Sequence, residues 1–247
     1  MAKLRAVVLA AGRGIRMGGE VPKGLLPLGD KPPLLHHILQ GLRQQGITDL
    51  LVVTGFGSEA VQGFVTDNWS EGDVTFVRNA RFASWGNFHS LRVAIDQSPG
   101  YDLLVVNSDI VVRPEILTRV ARGPGDLVLA VEQRLRFSDE DMRVRLSGDR
   151  VLAIGKDVKM AHSHGEYCGV SLLRPTAAHE YADISGRLEW TARTSVYYED
   201  VYAAMLERVD VRAVPVTRGD YAEVDVPADV EEAIAVIERH YSSPETD

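Results

Sequence analysis

Nothing constrains this chain more than the turn that follows its first apolar run. Residues Leu4 to Leu9 are aliphatic and β-branched, and they lead directly into Ala10-Ala11-Gly12-Arg13-Gly14-Ile15-Arg16-Met17, with Pro22-Lys23 a few residues on. A short apolar run ended by glycine is a buried strand entering a tight turn. Gly12 and Gly14 let the backbone turn sharply and aim amide N–H groups at phosphate oxygens, while Arg16 and Lys23 bring charge to the same anion. An ordinary strand-to-helix turn would account for the glycines alone; the two cations favour a triphosphate. The turn is not a phosphate loop, because no Gly-Lys-Ser/Thr occurs, and not a dinucleotide turn, because Met17 stands where a third glycine is needed.

The same alternation continues. Asp49 to Val53, Val74 to Val77 and Asp102 to Val106 read as further buried strands. Between them, Leu34, Leu35, Ile38, Leu39 and Leu42 repeat at helical spacing, and Ser90, Leu91, Val93, Ala94 and Ile95 form a second such pattern. Strand alternating with helix predicts an α/β fold with a mostly parallel, Rossmann-like sheet flanked by helices. After Asp109 the strands Leu127 to Val131, Met142 to Leu146, Val151 to Ile154 and Tyr167 to Leu173 follow one another through short turns, so this half is expected to be mixed. Tyr197 to Glu207 and Pro227 to His240 read as helices. With no linker in view, the expectation is one domain over 1–247, a nucleotide-binding half at about 1–110 and a small acceptor-side lobe at about 111–240.

Composition narrows the partners. A formal net charge of -8 speaks against nucleic acid and anionic membranes, which reward a basic face. A small anionic substrate then needs local cations. The single Cys168 excludes an internal disulfide and suits a reducing cytoplasm, where a buried thiol is its expected role. No stretch approaches a membrane span, the N-terminus lacks signal-peptide architecture, and the tail from Ser242 to Asp247 reads as frayed.

Asp109 follows a predicted strand through Asn107-Ser108, just beyond its carboxyl end, where open α/β sheets bind ligands. Magnesium takes a few carboxylates together with phosphate oxygens and water, so a second acid is expected from elsewhere. Asp225, in Glu223-Val224-Asp225-Val226-Pro227, is the leading candidate, with Glu223 or Asp229 able to substitute. Taken singly, Asp225 also fits a helix cap and Asp109 a turn before Pro114.

The loop with its Pro-Lys, followed by Leu25-Leu26-Pro27-Leu28-Gly29-Asp30-Lys31-Pro32-Pro33-Leu34-Leu35, resembles the signature of sugar-phosphate and alcohol-phosphate nucleotidyltransferases continuously from about residue 4 to 39. The resemblance implies a fold of the nucleotide-diphospho-sugar transferase type. It implies that Leu9, Ala10, Ala11, Gly12, Gly14, Arg16 and Lys23 hold the nucleoside triphosphate, with Lys23, Arg16 and Asp109 catalytic and Mg2+ on Asp109 and Asp225. Ile15 stands where many relatives carry Ser or Thr, which removes a hydroxyl contact to phosphate.

Asn79-Ala80-Arg81-Phe82-Ala83-Ser84-Trp85-Gly86-Asn87-Phe88-His89-Ser90-Leu91 is similar to a stretch of cytidylyltransferases acting on phosphocholine, aminoethylphosphonate and inositol phosphate. By that likeness Asn79, Asn87, Ser90 and Asp109 meet the nucleotide. Trp85, Lys156, Tyr198 and Glu199 meet the acceptor, with acid and aromatic groups suited to an amine. As core aromatics or helix caps the same residues have ordinary explanations. Arg134, Arg136, Arg143 and Arg145 are expected as mostly solvated charges, and His162 and His164 as loop residues.

The expected reaction is transfer of CMP from CTP to a phosphonate or phosphate monoester with release of pyrophosphate. A sugar 1-phosphate or inositol 1-phosphate nucleotidyltransferase is the alternative within the fold. A catalytically dead relative that senses nucleotides is the alternative of another functional class, and a glycosyltransferase using a nucleotide sugar is a third. The expected partners are small molecules, without nucleic acid or membrane, and a homodimer is an allowed assembly.

Overall fold

Strand β1 (Leu4–Ala10) lies between β2 (Leu50–Thr54) and β4 (Asp102–Asn107), with β3 (Val74–Arg78) beyond β2, all parallel. The computed structural model describes residues 2–188, 190 and 192–241, with the side chains of Arg16 and Ala192 outside that description. The tail from Ser242 to Asp247 lies outside the described residues. Every residue of β2 is buried because helices cover both faces of the sheet. Helix α1 (Leu34–Gln44) turns Leu34, Leu35, Ile38, Leu39 and Leu42 inward, the stripe that its spacing predicts. Helix α2 (Ser58–Asn68) was not legible in the sequence: it buries only Val61 and Val65 and carries Gly63. Helix α3 (Phe88–Asp96) covers the opposite face.

The chain then runs through β5 (Ile110–Val112), α4 (Pro114–Ala121), β6 (Leu127–Gln133), β7 (Arg143–Ser147), β8 (Arg150–Gly155), β9 (Gly165–Leu173), α5 (Pro175–Gly186) and α6 (Tyr198–Met205). It closes with β10 (Val211–Val216), β11 (Tyr221–Glu223) and α7 (Val230–His240). Strand β9 is antiparallel to both β4 and β6, and all of it is buried. The nine-stranded order is β3-β2-β1-β4-β9-β6-β10-β8-β7, and β7 also pairs with the start of β9, so pairing in the second half returns on itself. The sheet is therefore parallel at one end and mixed at the other. The sequence reading lacked α4, α5, β5, β10 and β11. Pro215 inside β10 hides that strand, and the three-residue β5 and β11 are too short to show a period. Among the described residues no helix is long and apolar enough to cross a membrane.

Outside the main sheet, β11 pairs antiparallel with β5, setting Glu223 opposite Ile110, and the Val224 N–H donates to the Asp109 carbonyl at 2.9 Å. This two-stranded ribbon brings the C-terminal acids to the end of β4. Helix α7 and Tyr241 cover it with Val111, Ala222 and Val224 beneath.

Candidate active site

The loop after β1 forms a short 3-10 turn, Ile15–Met17, entered through Gly14 at φ 63. A side chain at Gly14 would be strained by that φ, and its Cβ would press on Lys23 Cβ at 3.1 Å. Gly12 differs: a Cβ there would meet nothing within 4 Å, so packing within the chain does not require glycine at that position. Lys23 opens another 3-10 turn, Lys23–Leu25, after Pro22. Its stem lies against the loop and its ammonium reaches the end of β4.

There Lys23 Nζ donates to Asp109 Oδ2 at 2.7 Å and to Asp225 Oδ1 at closer range. Burial works against the Lys23 charge, but Asp109 and then Asp225 outweigh it and hold the ammonium above its ordinary range. Asp109, Glu223 and Asp225 each place a carboxylate oxygen within 4.8 Å of the others. Burial, reinforced by the charges of Asp109 and Asp225, raises the Glu223 carboxyl. Asp109 Oδ1 is buried without a hydrogen-bond partner among the described residues. Three carboxylates facing one ammonium leave negative charge in excess, and an orphaned hard oxygen among them suits a divalent cation of the magnesium kind. Asp229 does not join them: its carboxylate accepts the N–H groups of Asp225 and Val226, both at 2.8 Å, and so shapes the turn that carries Asp225.

A cavity of about 250 Å3 opens beside this cluster, lined by Lys23, Asn87, Asp109, Glu223 and Asp225 and by Glu140, Lys156, Tyr167, Tyr197 and Glu199. Glu199, 6% exposed, has one carboxylate oxygen without a hydrogen-bond partner among the described residues, and burial pushes its pKa up to about 8. Lys156 Nζ donates to Glu140 Oε2 at 2.9 Å and lies 5.5 Å from the centre of the Tyr197 ring. Arg143, expected to be solvated, is 5% exposed. Its guanidinium donates to the Val158 carbonyl at 2.7 Å and to the carbonyls of Ser138 and Lys156, tying together the two loops that carry Glu140 and Lys156.

Several other residues singled out in the sequence are engaged with neighbours outside the lining of this cavity. Asn79 Nδ2 donates to Ser90 Oγ at 2.9 Å, both buried. Tyr198 is fully buried, with its hydroxyl on Asn107 Oδ1 at 3.0 Å. Trp85 packs edge-on to Trp190 beneath the Arg193 and Arg81 guanidiniums. None of these four lines the cavity, and neither does the Leu9–Gly14 backbone, which meets it through Lys23. Asn87 does line it, and its Oδ1 accepts the Tyr198 N–H at 2.9 Å. The side chain of Arg16 lies outside the described residues. Sequence reasoning missed Glu140, Met142 and Tyr167 as lining groups, since nothing local marks an acidic turn or an inward face of an antiparallel strand.

Acids gathered around one lysine at the carboxyl edge of parallel strands, with a glycine turn beside them, define a protein built to handle nucleotide phosphates. The chain belongs to the family of the MobA-like NTP transferase domain, whose model matches residues 6–182, and so to the nucleotidyltransferase superfamily. It is 30% identical over 246 residues to the bifunctional protein GlmU of Xanthobacter autotrophicus, covering 96% of this chain and 53% of that protein. It is 32% identical over 139 residues to the CMP-5'-(3-aminopropyl)phosphonate synthase of Streptomyces rubellomurinus, covering 54% of this chain and 21% of that one. The chain thus spans about half, or less, of the length of these curated relatives. The inositol-1-phosphate CTP transferase from T. maritima has the same fold, with a TM-score of 0.79 at 20% identity, covering 96% of this chain and 98% of that one.

Proposed function

We propose that the chain is a Mg2+-dependent cytidylyltransferase that moves CMP from CTP onto a small phosphonate or phosphate monoester and releases pyrophosphate. The observation that carries this reading is the meeting of Lys23, from the glycine-loop side, with Asp109, Glu223 and Asp225 at one edge of the cavity. Residues 1–110 then supply the nucleotide side and 111–240 the acceptor side. The loop amides, Arg16 and Lys23 hold the triphosphate, and Asn87 contributes from the cavity wall. Asp109 and Asp225, with Glu223, hold the cation, which when bound neutralises phosphate charge and helps set the in-line geometry.

The acceptor oxygen attacks the α-phosphorus, a new P–O bond forms, and the bond to the β-phosphate oxygen breaks with its electron pair leaving on pyrophosphate. No general base is needed, because a phosphate or phosphonate oxygen is already ionised near neutral pH. Lys23 assists by spreading the transition-state charge. On the acceptor side, Lys156 offers a cation to the phosphonate. Glu199 with Tyr197 offers an acid and an aromatic ring to an amine, with Tyr198, Trp85, Asn79 and Ser90 as the packing behind. Likeness to a CMP-5'-(3-aminopropyl)phosphonate synthase over 139 residues supports the amine-bearing acceptor.

The test is catalytic efficiency for CTP, UTP, GTP and ATP, each with phosphocholine, aminoethylphosphonate, a simpler phosphonate, inositol 1-phosphate and glucose 1-phosphate. The expected optimum is CTP with an amine-bearing phosphonate or phosphate, by a wide margin, because a site built to pair a base edge penalises one that leaves it unpaired. An optimum with a sugar 1-phosphate and another nucleotide would overturn the acceptor and base assignments.

A further inference from the structure

The Lys23 ammonium sits among the carboxylates that a cation would use. It donates to Asp109 Oδ2 and to Asp225 Oδ1, two of the three carboxylates whose oxygens converge within 4.8 Å. A metal ion binding among those carboxylates must compete with the ammonium for their charge and repel it at short range. Lysine suits such an exchange, being a point charge on a flexible four-carbon stem with no fixed fork to satisfy. A Cβ on Gly14 would come to 3.1 Å from Lys23 Cβ, so the root of the lysine stem lies beside the glycine loop while its ammonium end is free of that contact.

Resting on the metal site assigned under the proposed function, we propose that Lys23 is a placeholder for the divalent cation, which gains the carboxylates only when the lysine leaves them for the triphosphate. In the nucleotide-free protein the state able to bind the ion is then a minor one, and its small population lowers the apparent affinity by the same factor. The triphosphate stabilises that state by giving Lys23 an anionic partner. Cation and nucleotide therefore tighten each other's binding by an equal factor, and the lysine reaches the phosphates as the ion arrives. Premature loading of the site by free metal is held down.

The probe is Mn2+ alone, titrated into the nucleotide-free chain while the paramagnetic resonance of the free aquo ion is followed. Lys23→Met should bind Mn2+ on the order of tenfold or more tightly than the unaltered chain, since the ion no longer displaces a paired charge. Lys23→Arg, which keeps the competing cation, should remain weak. Where Lys23→Met does not fold, Lys23→Gln carries the same comparison, with the rise in melting temperature on adding Mn2+ as the second readout. Mn2+ binding no tighter in Lys23→Met or Lys23→Gln, yet weakened by Asp109→Asn and Asp225→Asn, would overturn the placeholder and leave the metal site standing. Binding indifferent to Asp109→Asn and Asp225→Asn would remove the metal site itself, and both readings with it.

Discussion

Asp109 holds one carboxylate oxygen on Lys23 and keeps the other buried without a partner among the described residues, a costly arrangement in a folded chain unless a further group completes it. Asp109→Asn and Asp225→Asn each remove charge from the cluster while preserving shape. Both should lower turnover by roughly two orders of magnitude or more, with the melting temperature nearly unchanged, as steady-state kinetics and calorimetry can check. Full activity in Asp225→Asn alongside loss in Glu223→Gln would transfer the ligand role to Glu223. Asn79 sits behind the cavity: its amide bonds Ser90 Oγ and its carbonyl oxygen accepts the Arg81 N–H at 2.8 Å. Asn79→Ala should therefore cost about 1–3 kcal/mol of stability in denaturant unfolding, with KM for nucleotide changing less than stability does.

Between elements, the informative contact is the docking of α3 onto the segment before α6. Gly86 N–H donates to the Arg193 carbonyl at 2.7 Å, and a Cβ on Gly86 would fall 1.9 Å from the Val196 carbonyl oxygen. Gly86→Ala must push those segments apart, and a loss of about 1–3 kcal/mol in unfolding free energy is expected. Because Asn87 and Tyr197 line the cavity on either side of this contact, KM for the acceptor should rise as well. Helix α1 carries a different liability. His37 is 3% exposed, edge-on to Tyr241 at 5.2 Å, and burial, helped by the neighbouring His36, lowers its pKa to about 4. The unfolded chain takes up a proton near its ordinary value of about 6.5, which the folded chain resists. Stability is thus complete above that value and declines as pH falls toward 4, by roughly 3 kcal/mol at most from this group. His37→Phe should flatten part of that slope in melts recorded from pH 7 to 4.

At the scale of the whole molecule, chelation by EDTA should stop pyrophosphate release. Mg2+ with CTP should raise the melting temperature more than either alone, by on the order of 5–10 °C at a hundredfold excess over the dissociation constant. A temperature shift from CTP that Mg2+ leaves unchanged would count against a shared site. The sequence by itself determined the parallel half, because strand and helix periods and the glycine turn are local signals that need no partner, and it singled out Lys23, Asp109 and, far along the chain, Asp225, which the structure brings together. It did not determine the second half, since β10 hides behind Pro215, β5 and β11 are three residues each, and α4 and α5 are marked at their start by a single proline, Pro114 and Pro175, with no side-chain cap before it. The tertiary structure alone decided that Glu223 rather than Asp229 faces Asp109, because that follows from the register of β11 on β5 and from Asp229 being used by the turn. It likewise decided that Asn87, Lys156 and Glu199 line the cavity, while Asn79, Ser90 and Tyr198 are buried in hydrogen bonds outside its lining. Spacing along a chain gives a side chain's neighbours on its own element, whereas which groups converge across 86 or 202 residues, as Lys23 does with Asp109 and Asp225, is set by strand order and packing.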